Sequence, residues 1–446
     1  MDHTTTKELF KWIKNSPTPF HAIAYMKQQL QAEGYQELFE HKEWNIHPSG
    51  KYFVTRNQSS IIAFQIGTDL QDYSFHISAS HSDSPTFKIK ENAQIEIKGK
   101  YTQLNTEGYG GMICASWMDR PLSIAGRIIY KQNDRLYTKL VDVNKDLVLI
   151  PSVAIHMNRN VNDGFKWNKQ VDMLPLYGGK ETLHNTLKQQ IAKEADVEES
   201  AIYGMDLYLY NRMEPSIWGA NQEFISAPRF DDLQGAFTTF QGFINGTHAK
   251  NIAVFACFDN EEVGSLTKQG AESTFLYDTL TRINVALGKT KEDYHRALAS
   301  GMMLSVDNAH ALHPNHPEYA DATNSVYMNE GIVIKTHAGQ KYTSDAHAIA
   351  LFKDICDYAH VPYQFYANRS DMVGGSTLGN LVQRLVSLST IDIGLAQLAM
   401  HSAYETAGIK DMDDMIHAVQ VFYHTHFQLE SDHTISIIRS ETNKLF

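Results

Sequence analysis

Cysteine is scarce in this chain: Cys114, Cys257 and Cys356 are the only three in 446 residues, and none has a CxxC partner. A disulfide framework and a thiolate-bound structural zinc are thereby excluded, and buried thiols acting as small hydrophobes are expected instead. Positive charge is also in deficit, with 39 Lys and Arg against 51 Asp and Glu and a formal net charge of −12. That balance repels a phosphate backbone, and no Lys/Arg stripe interrupts it, so nucleic acid is not an expected partner. No apolar run approaches the roughly 18 residues that cross a bilayer, and the polar start MDHTTTKELFKWIKNSPTPF lacks the roughly 7–15-residue apolar stretch of a secretion signal. A cytoplasmic chain without membrane association is expected. Low-complexity tracts and fixed-period repeats are missing too.

What is present is material for more than one core, because single cores stop growing at roughly 250–300 residues. A hydrophobic content of 43% with 20% charged residues sits near globular averages and argues against disorder. Leu9, Phe10 and Ile13 share a helical face, and a second amphipathic run continues from the Pro17–Pro19 break to about Gln31. Short β-rich pieces follow, IIAFQI (61–66) and SFHISAS (74–80).

From about 88 to 225 the pattern alternates in pieces such as FKIK, QIEIKG, GRIIYK, RLYTKLVD and LVLIPSVAI, which reads as a β-rich unit. After Pro228, strand and helix alternate: a helix from about 230, IAVFACF (252–258), a helix near 266–279, MMLSV (302–306) and IVIKT (332–336). A helix from Ser344 to about Tyr358, a strand near 363–366, a helix near 376–386, LSTIDIG (388–394) and a helix near 410–425 complete the series. Such alternation predicts an α/β fold with a largely parallel sheet covered by helices on both faces. The expected organisation is a catalytic domain in two pieces, residues 1–90 and 226–446, interrupted by an inserted β-rich domain at 91–225.

Ligands collect at the carboxyl ends of parallel strands, and acidic or histidine residues recur at these places. They are His81 and Asp83 after SFHISAS, Asp231 and Asp232 in RFDDLQG, Glu261 and Glu262 after IAVFACFDN, Asp307 after MMLSV, and His401 beyond LSTIDIGLAQLAM. A single Asp there is more often a helix cap or turn former, and a single His more often a hydrogen-bonded structural residue. Together, however, they supply imidazoles and carboxylates for two divalent cations, with a spare carboxylate as general base. Adjacent Glu261 and Glu262 allow one to coordinate while the other stays free.

Competing motifs fail on residue identity. HExxH is absent, LGKT (287–290) lacks the earlier glycine of a phosphate loop, and GGSTLG (374–379) has Leu378 where a nucleophile elbow needs glycine. His310, His313 and His316 form a weaker candidate cluster, interrupted by proline and asparagine, and His424 with His426 a weaker one still.

Several stretches carry a recognisable signature in order along the chain. They include SASHSDSPTFKIK (78–90), GYGGMICASWMDRPL (108–122), SAPRFDDLQGAF (226–237), FDNEEVGS (258–265), SVDNAHALHPNHPEY (305–319), GIVIKTHAGQKY (331–342) and DIGLAQLAMHSAYETAG (392–408). Through them the chain resembles the aspartyl aminopeptidase family of zinc metallopeptidases from end to end. The resemblance implies a three-layer α/β/α metallopeptidase domain with an inserted β-rich dimerisation domain, assembled as a dimer-based dodecamer. It implies His81 and Asp307 on one zinc, Glu262 and His401 on the other, Asp231 bridging, Glu261 as general base, and Asp83 fixing the His81 imidazole. Asp232 is left as the less favoured ligand.

The resemblance further places Lys335 and Tyr342 in the substrate pocket and brings His156 to a neighbouring subunit's active site. A lysine there favours an acidic N-terminal residue on a peptide substrate. MVGG (372–375) departs from the Pro-Cys-Gly-like turn expected of the family, and Arg369 beside it is a candidate extra cation. Two ions, zinc with Co2+ or Mn2+ also compatible, are the expected cofactors. The same ligands also suit a related exopeptidase or deacylase of non-acidic preference.

Overall fold

The strand Asn251–Phe258 is apolar throughout and buried along its whole length, which requires cover on both faces. Ala253, Phe255 and Cys257 enter one core, while Ile252, Val254, Ala256 and Phe258 enter another. In the computed structural model, which describes residues 3–439, this strand lies within a nine-stranded sheet. The order across it is Gln36–Leu38, Lys51–Arg56, Ser60–Ile66, Asn251–Phe258, Ser74–His81, Met302–Val306, Ser389–Gly394, Ile332–Thr336 and Tyr363–Ala367. Helices Thr4–Lys14, Pro19–Ala32, Phe230–Ile244, Ala346–Ala359 and Asp411–His424 pack on one face; Phe275–Ala286, Lys291–Ala299 and Leu378–Val382 pack on the other. The result is three layers, α/β/α.

The sheet is largely parallel, as expected, with five parallel pairings, but three of its pairings are antiparallel. Lys51–Arg56 and Ser60–Ile66 pair antiparallel, as do Ser60–Ile66 with Asn251–Phe258 and Ser389–Gly394 with Ile332–Thr336. The first pair is a hairpin closed at Asn57 and Gln58, both with positive φ (56° and 57°), a turn that asparagine tolerates.

A second, antiparallel sheet holds Arg135–Asp142, Leu122–Gln132, Ile202–Asn211, Thr86–Ile97, Tyr101–Tyr109 and Leu176–Gly178, with its own core around Phe87, Leu104, Ile124 and Leu207. Helix Leu187–Ala195 buries Leu187 and Ile191 in that core, its start fixed by a capping box between Thr186 and Gln189. A third sheet ties Ser216–Trp218, Phe224–Ala227, Glu405–Gly408, Ala396–Leu398 and Ala309–His310 together beside the catalytic edge.

Two expected elements differ. The helix near 266–279 forms later, at Phe275–Ala286, because Gly270 packs against the Ser265 carbonyl and Ser265 itself has φ 60°, which holds 264–274 in turns. LVLIPSVAI makes only isolated bridges at Val148, Leu149 and Ile150, since Pro151 cannot extend a ladder. A hairpin of Thr425–Ser431 and Thr434–Arg439 was not anticipated. Cys257 and Cys356 are buried as expected, whereas Cys114 is partly exposed. Among the described residues, no helix is long and apolar enough to cross a membrane.

Candidate metal centre

Three neighbouring strands deliver the site. Ser74–His81 pairs parallel with Asn251–Phe258 on one side and Met302–Val306 on the other, so their carboxyl ends share one edge, with His81 directly beside Phe258. His81 is the last residue of its strand, Asp307 follows Val306, and Glu261 and Glu262 sit in the short turn after Asn251–Phe258. Asp231 lies at the start of helix Phe230–Ile244, and His401 lies between Ala396–Leu398 and Glu405–Gly408.

The side chains converge in two groups sharing Asp231: His81, Asp231 and Asp307, and Asp231, Glu262 and His401. Asp231 Oδ1 is 3.5 Å from His81 Nε2, Asp231 Oδ2 is 3.3 Å from His401 Nε2, and Glu262 Oε2 is 3.4 Å from His401 Nε2. These gaps exceed the usual 2.7–3.2 Å of an N–H···O hydrogen bond. They match instead the edge of a tetrahedron with bonds of about 2.0–2.1 Å, which is about 3.3–3.4 Å. Asp307 Oδ1 stands somewhat farther out, 4.0 Å from His81 Nε2.

The donor chemistry fits divalent cations. Asp231 Oδ1 and Glu262 Oε1 are buried without a hydrogen-bond partner, and carboxylate oxygens in that condition are costly unless a cation satisfies them. Burial and the Asp231 charge push the Glu262 carboxyl well above its ordinary range, and burial pushes Asp307 up to about 6. Against burial, which lowers it, Asp231 and Glu262 raise the His401 imidazole to about 10. Each shift marks negative charge concentrated where a cation belongs.

Glu261 is grouped with His81 and Glu262, and burial, with Asp307, Asp83 and Asp231 adding to it, pushes its carboxyl up to about 8. Its placement is governed by Asp83, which is fully buried. Asp83 accepts the Glu261 N–H at 3.1 Å, the Glu262 N–H at 3.2 Å and the Tyr109 hydroxyl at 2.7 Å. His81 Nδ1 lies 3.0 Å from the Asp83 carbonyl and 3.5 Å from its carboxylate. Asp83 thus orients a ligand imidazole and holds the Glu261–Glu262 turn as well. Asp232 points away from both groups and accepts the His81 N–H at 3.1 Å.

Residues outside the predicted set complete the surroundings. Tyr109 Oη accepts from Asn260 Nδ2 at 2.8 Å, and the Gly111 carbonyl is 3.0 Å from His401 Nδ1. Gly110, with φ 76°, lies against Glu262 Cβ, so the second sheet's Tyr109–Gly111 turn touches the Glu262 and His401 side of the centre, and Asp83 through Tyr109. Glu405, 1% exposed, accepts the His401 N–H at 2.7 Å and the Asp231 N–H at 3.1 Å. Glu405 lies within the stretch DIGLAQLAMHSAYETAG, but nothing in the sequence singled it out from its neighbours as a site residue.

The expected substrate residues divide. Lys335 is buried, donates to the Asp307 and Asn308 carbonyls at 2.8 and 3.2 Å, and lies 3.7 Å from Asp307 Oδ2 with the Tyr342 ring beneath it. His156 is exposed and forms no hydrogen bond or ion pair with the ligand or base side chains.

A cavity of about 300 Å³ beside the centre is lined by His310, His313, His316, Tyr366, Asn368, Arg369 and Met400, among others. Arg369 is held by Asp371 and His316 by Glu318. His310 lies on the cavity wall in edge contact with Tyr366, and burial, with Lys335 adding to it, lowers the pKa of its imidazole. The histidine cluster is therefore a cavity lining and not one of the cation-sized groups found among the described residues. His424 and His426 lie elsewhere, bonded to Asn245 and Asn251.

The sequence model of the aminopeptidase I zinc metalloproteases (M18) matches residues 12–423. A probable M18 family aminopeptidase 2 of Clostridium novyi is 44% identical over 421 residues, covering 93% of this chain and 96% of its own. The Ape4 chain from a cryo-EM complex with Nbr1 superposes with TM-score 0.91 at 33% identity, covering 94% of this chain and 85% of its own. The S. cerevisiae mApe1 dodecamer superposes with TM-score 0.83 at 25% identity, covering 94% and 96%.

Proposed function

The chain belongs to the aminopeptidase I zinc metalloprotease (M18) family, and from that footing we propose that it releases N-terminal residues, acidic ones preferentially, at a centre holding two divalent cations. The observation that carries the two-ion reading is Asp231, whose two oxygens face different histidines at 3.5 and 3.3 Å. A single-ion site has no use for a carboxylate shared between two ligand groups. His81 and Asp307 would hold one ion, Glu262 and His401 the other, with Asp231 available to both.

When bound, the ions polarise the scissile carbonyl and make a water acidic enough to attack near neutral pH. The protein's own groups perform the remaining tasks. Glu261 takes the water's proton and delivers it to the leaving amine, a role suited to a carboxyl that stands beside the ligand groups without being shared between them. Asp83 fixes Glu261 by its backbone N–H, and so fixes the base relative to His81. A free amino terminus can be placed beside this centre as a neutral nitrogen donor or a hydrogen-bond donor to its carboxylates, and an N-acylated substrate has none to place there. This favours an aminopeptidase over a deacylase on the same ligands.

Acidic preference is supported by the cavity lined by His310. Lys335 is turned to Asp307, Arg369 to Asp371 and His316 to Glu318. The His310 ring, without such a partner, is the donor free for a substrate carboxylate. Homo-oligomer formation is supported by the dodecameric relative and by Val153, Ile155, Met157 and Val171, which expose 53, 48, 78 and 69% of their surface on one stretch of the inserted unit. In such an assembly His156 of that stretch reaches a neighbouring subunit's site.

The test is a panel of Asp-, Glu-, Leu- and Lys-anilides beside their N-acetyl forms. Cleavage of free-amine substrates with Asp and Glu fastest is expected. Cleavage of N-acyl substrates alone would overturn the aminopeptidase reading, and equal rates for Glu and Leu would overturn the acidic preference.

A further inference from the structure

Glu405 is a carboxylate buried to 1% exposure at the centre, yet it belongs to neither of the donor groups that surround Asp231. Its two oxygens are engaged separately: Oε1 accepts the backbone N–H of His401 at 2.7 Å and Oε2 that of Asp231 at 3.1 Å. These are the shared ligand and one of the two terminal ligands of the same ion. Both backbones need such support. His401 has φ 65° and Ala399 φ 56°, a left-handed turn that non-glycine residues adopt only when their surroundings hold them there. Asp231, with φ −82° and ψ 108°, lies in a non-helical kink at the head of Phe230–Ile244, so its N–H needs a partner from outside the helix.

We propose that Glu405 is a positioning residue chiefly for the cation held by Asp231, Glu262 and His401, since that cation alone draws on both backbones that Glu405 holds, and that it sets the spacing between Asp231 and His401. The proposal rests on the two-ion reading above. Acceptance by the two oxygens of one buried side chain fixes two backbones relative to each other. His81 and Asp307 are anchored elsewhere, through strand pairing, Asp83 and Lys335. An amide at position 405 offers one acceptor oxygen, and its NH2 group confronts the second N–H.

The experiment uses full-length wild type and Glu405→Gln, stripped of metal and titrated with Co2+ while heat, bound metal and the visible spectrum are followed. Wild type is expected to take two ions per chain. Glu405→Gln is expected to bind one of them roughly 10–100-fold more weakly, with that ion's absorption band altered and the other step changed by less than about threefold. Unchanged affinities and spectrum in both steps would overturn the proposal. Equal weakening of both steps with a lower melting temperature would also overturn it, because that is a merely structural role. A wild type that takes only one ion would instead overturn the two-ion reading, whatever the variant does. Should Glu405→Gln not fold, Glu405→Asp reads the same difference: it keeps the charge but reaches only one of the two N–H groups, so selective weakening of one step is again expected.

Discussion

Replacing Lys335 by methionine separates two roles that its position allows. The ammonium is 2% exposed and lies 2.8 Å from the Asp307 carbonyl, 3.2 Å from the Asn308 carbonyl and 3.7 Å from Asp307 Oδ2. Methionine fills the stem's volume, so no large cavity contributes. What is lost is two charge-assisted hydrogen bonds and the partner of a buried carboxylate, and breaking such a pair costs about 3–5 kcal/mol.

That loss applies to metal-free protein. In metal-loaded protein the cation neutralises Asp307, so the cost of leaving that carboxylate unpaired disappears and only the loss of the two carbonyl bonds remains. Removing a competing positive charge also tightens cation binding at the His81–Asp307 group. The assay is urea unfolding of wild type and Lys335→Met, each with and without saturating Zn2+, beside kcat and KM for Glu- and Leu-anilides. A large metal-free destabilisation that shrinks with metal, and similar selectivity in both proteins, is expected. Unchanged stability together with a selective rise in KM for the Glu substrate would refute the reasoning and return Lys335 to the substrate.

Other outcomes follow from the same geometry. His310→Ala is expected to reduce the Glu-over-Leu ratio of kcat/KM about 10–100-fold, the range of one hydrogen bond to a charged acceptor, while turnover of the Leu substrate changes little; an unchanged ratio contradicts the specificity assignment. His76 is fully buried between Phe422 and Phe427, with ring centroids 5.0 and 5.2 Å away, and burial, with His426 adding, lowers its pKa from 6.5 to about 3. Because the unfolded chain takes up this proton below pH 6.5 and the folded one does not until about pH 3, its contribution is intact above 6.5 and lost as pH falls through that window. At about 1.4 kcal/mol per pH unit, roughly 2 kcal/mol goes between pH 6.5 and 5. His76→Phe is expected to flatten this limb in denaturant titrations, and an equally steep limb would show that His76 is not its source.

Much of this architecture is legible in the residues, and the exceptions have physical causes. The central strands announce themselves because burial on both faces demands runs such as IAVFACF and MMLSV, and the structure places them at Asn251–Phe258 and Met302–Val306. Convergence of His81, Asp307 and Glu261 could be anticipated because parallel neighbours end at one edge. The displaced helix near 266–279 was lost to Gly264 and Gly270, whose turn geometry a helical period ignores. Helices Leu187–Ala195 and Lys291–Ala299 were missed despite capping boxes at Thr186 and Thr290, a local signal that competed with stronger β patterning or shorter periodicity.

Glu405 and Tyr109 were not legible, because each acts through contacts spanning 174 or 151 residues, to Asp231 and Asn260 respectively. Lys335 was legible as a cation near the site, but not that it faces Asp307, since its orientation depends on the turn after Met302–Val306.

The central claim, a two-ion centre with Glu261 as its base, is tested most directly by measuring bound metal and turnover together on Glu261→Gln. Two ions per chain with kcat on a Glu-anilide reduced about 10²–10⁴-fold is the predicted result, the range that a general base contributes. Two ions with wild-type turnover would contradict the assignment of the base, and fewer than two ions in both wild type and variant would contradict the centre itself.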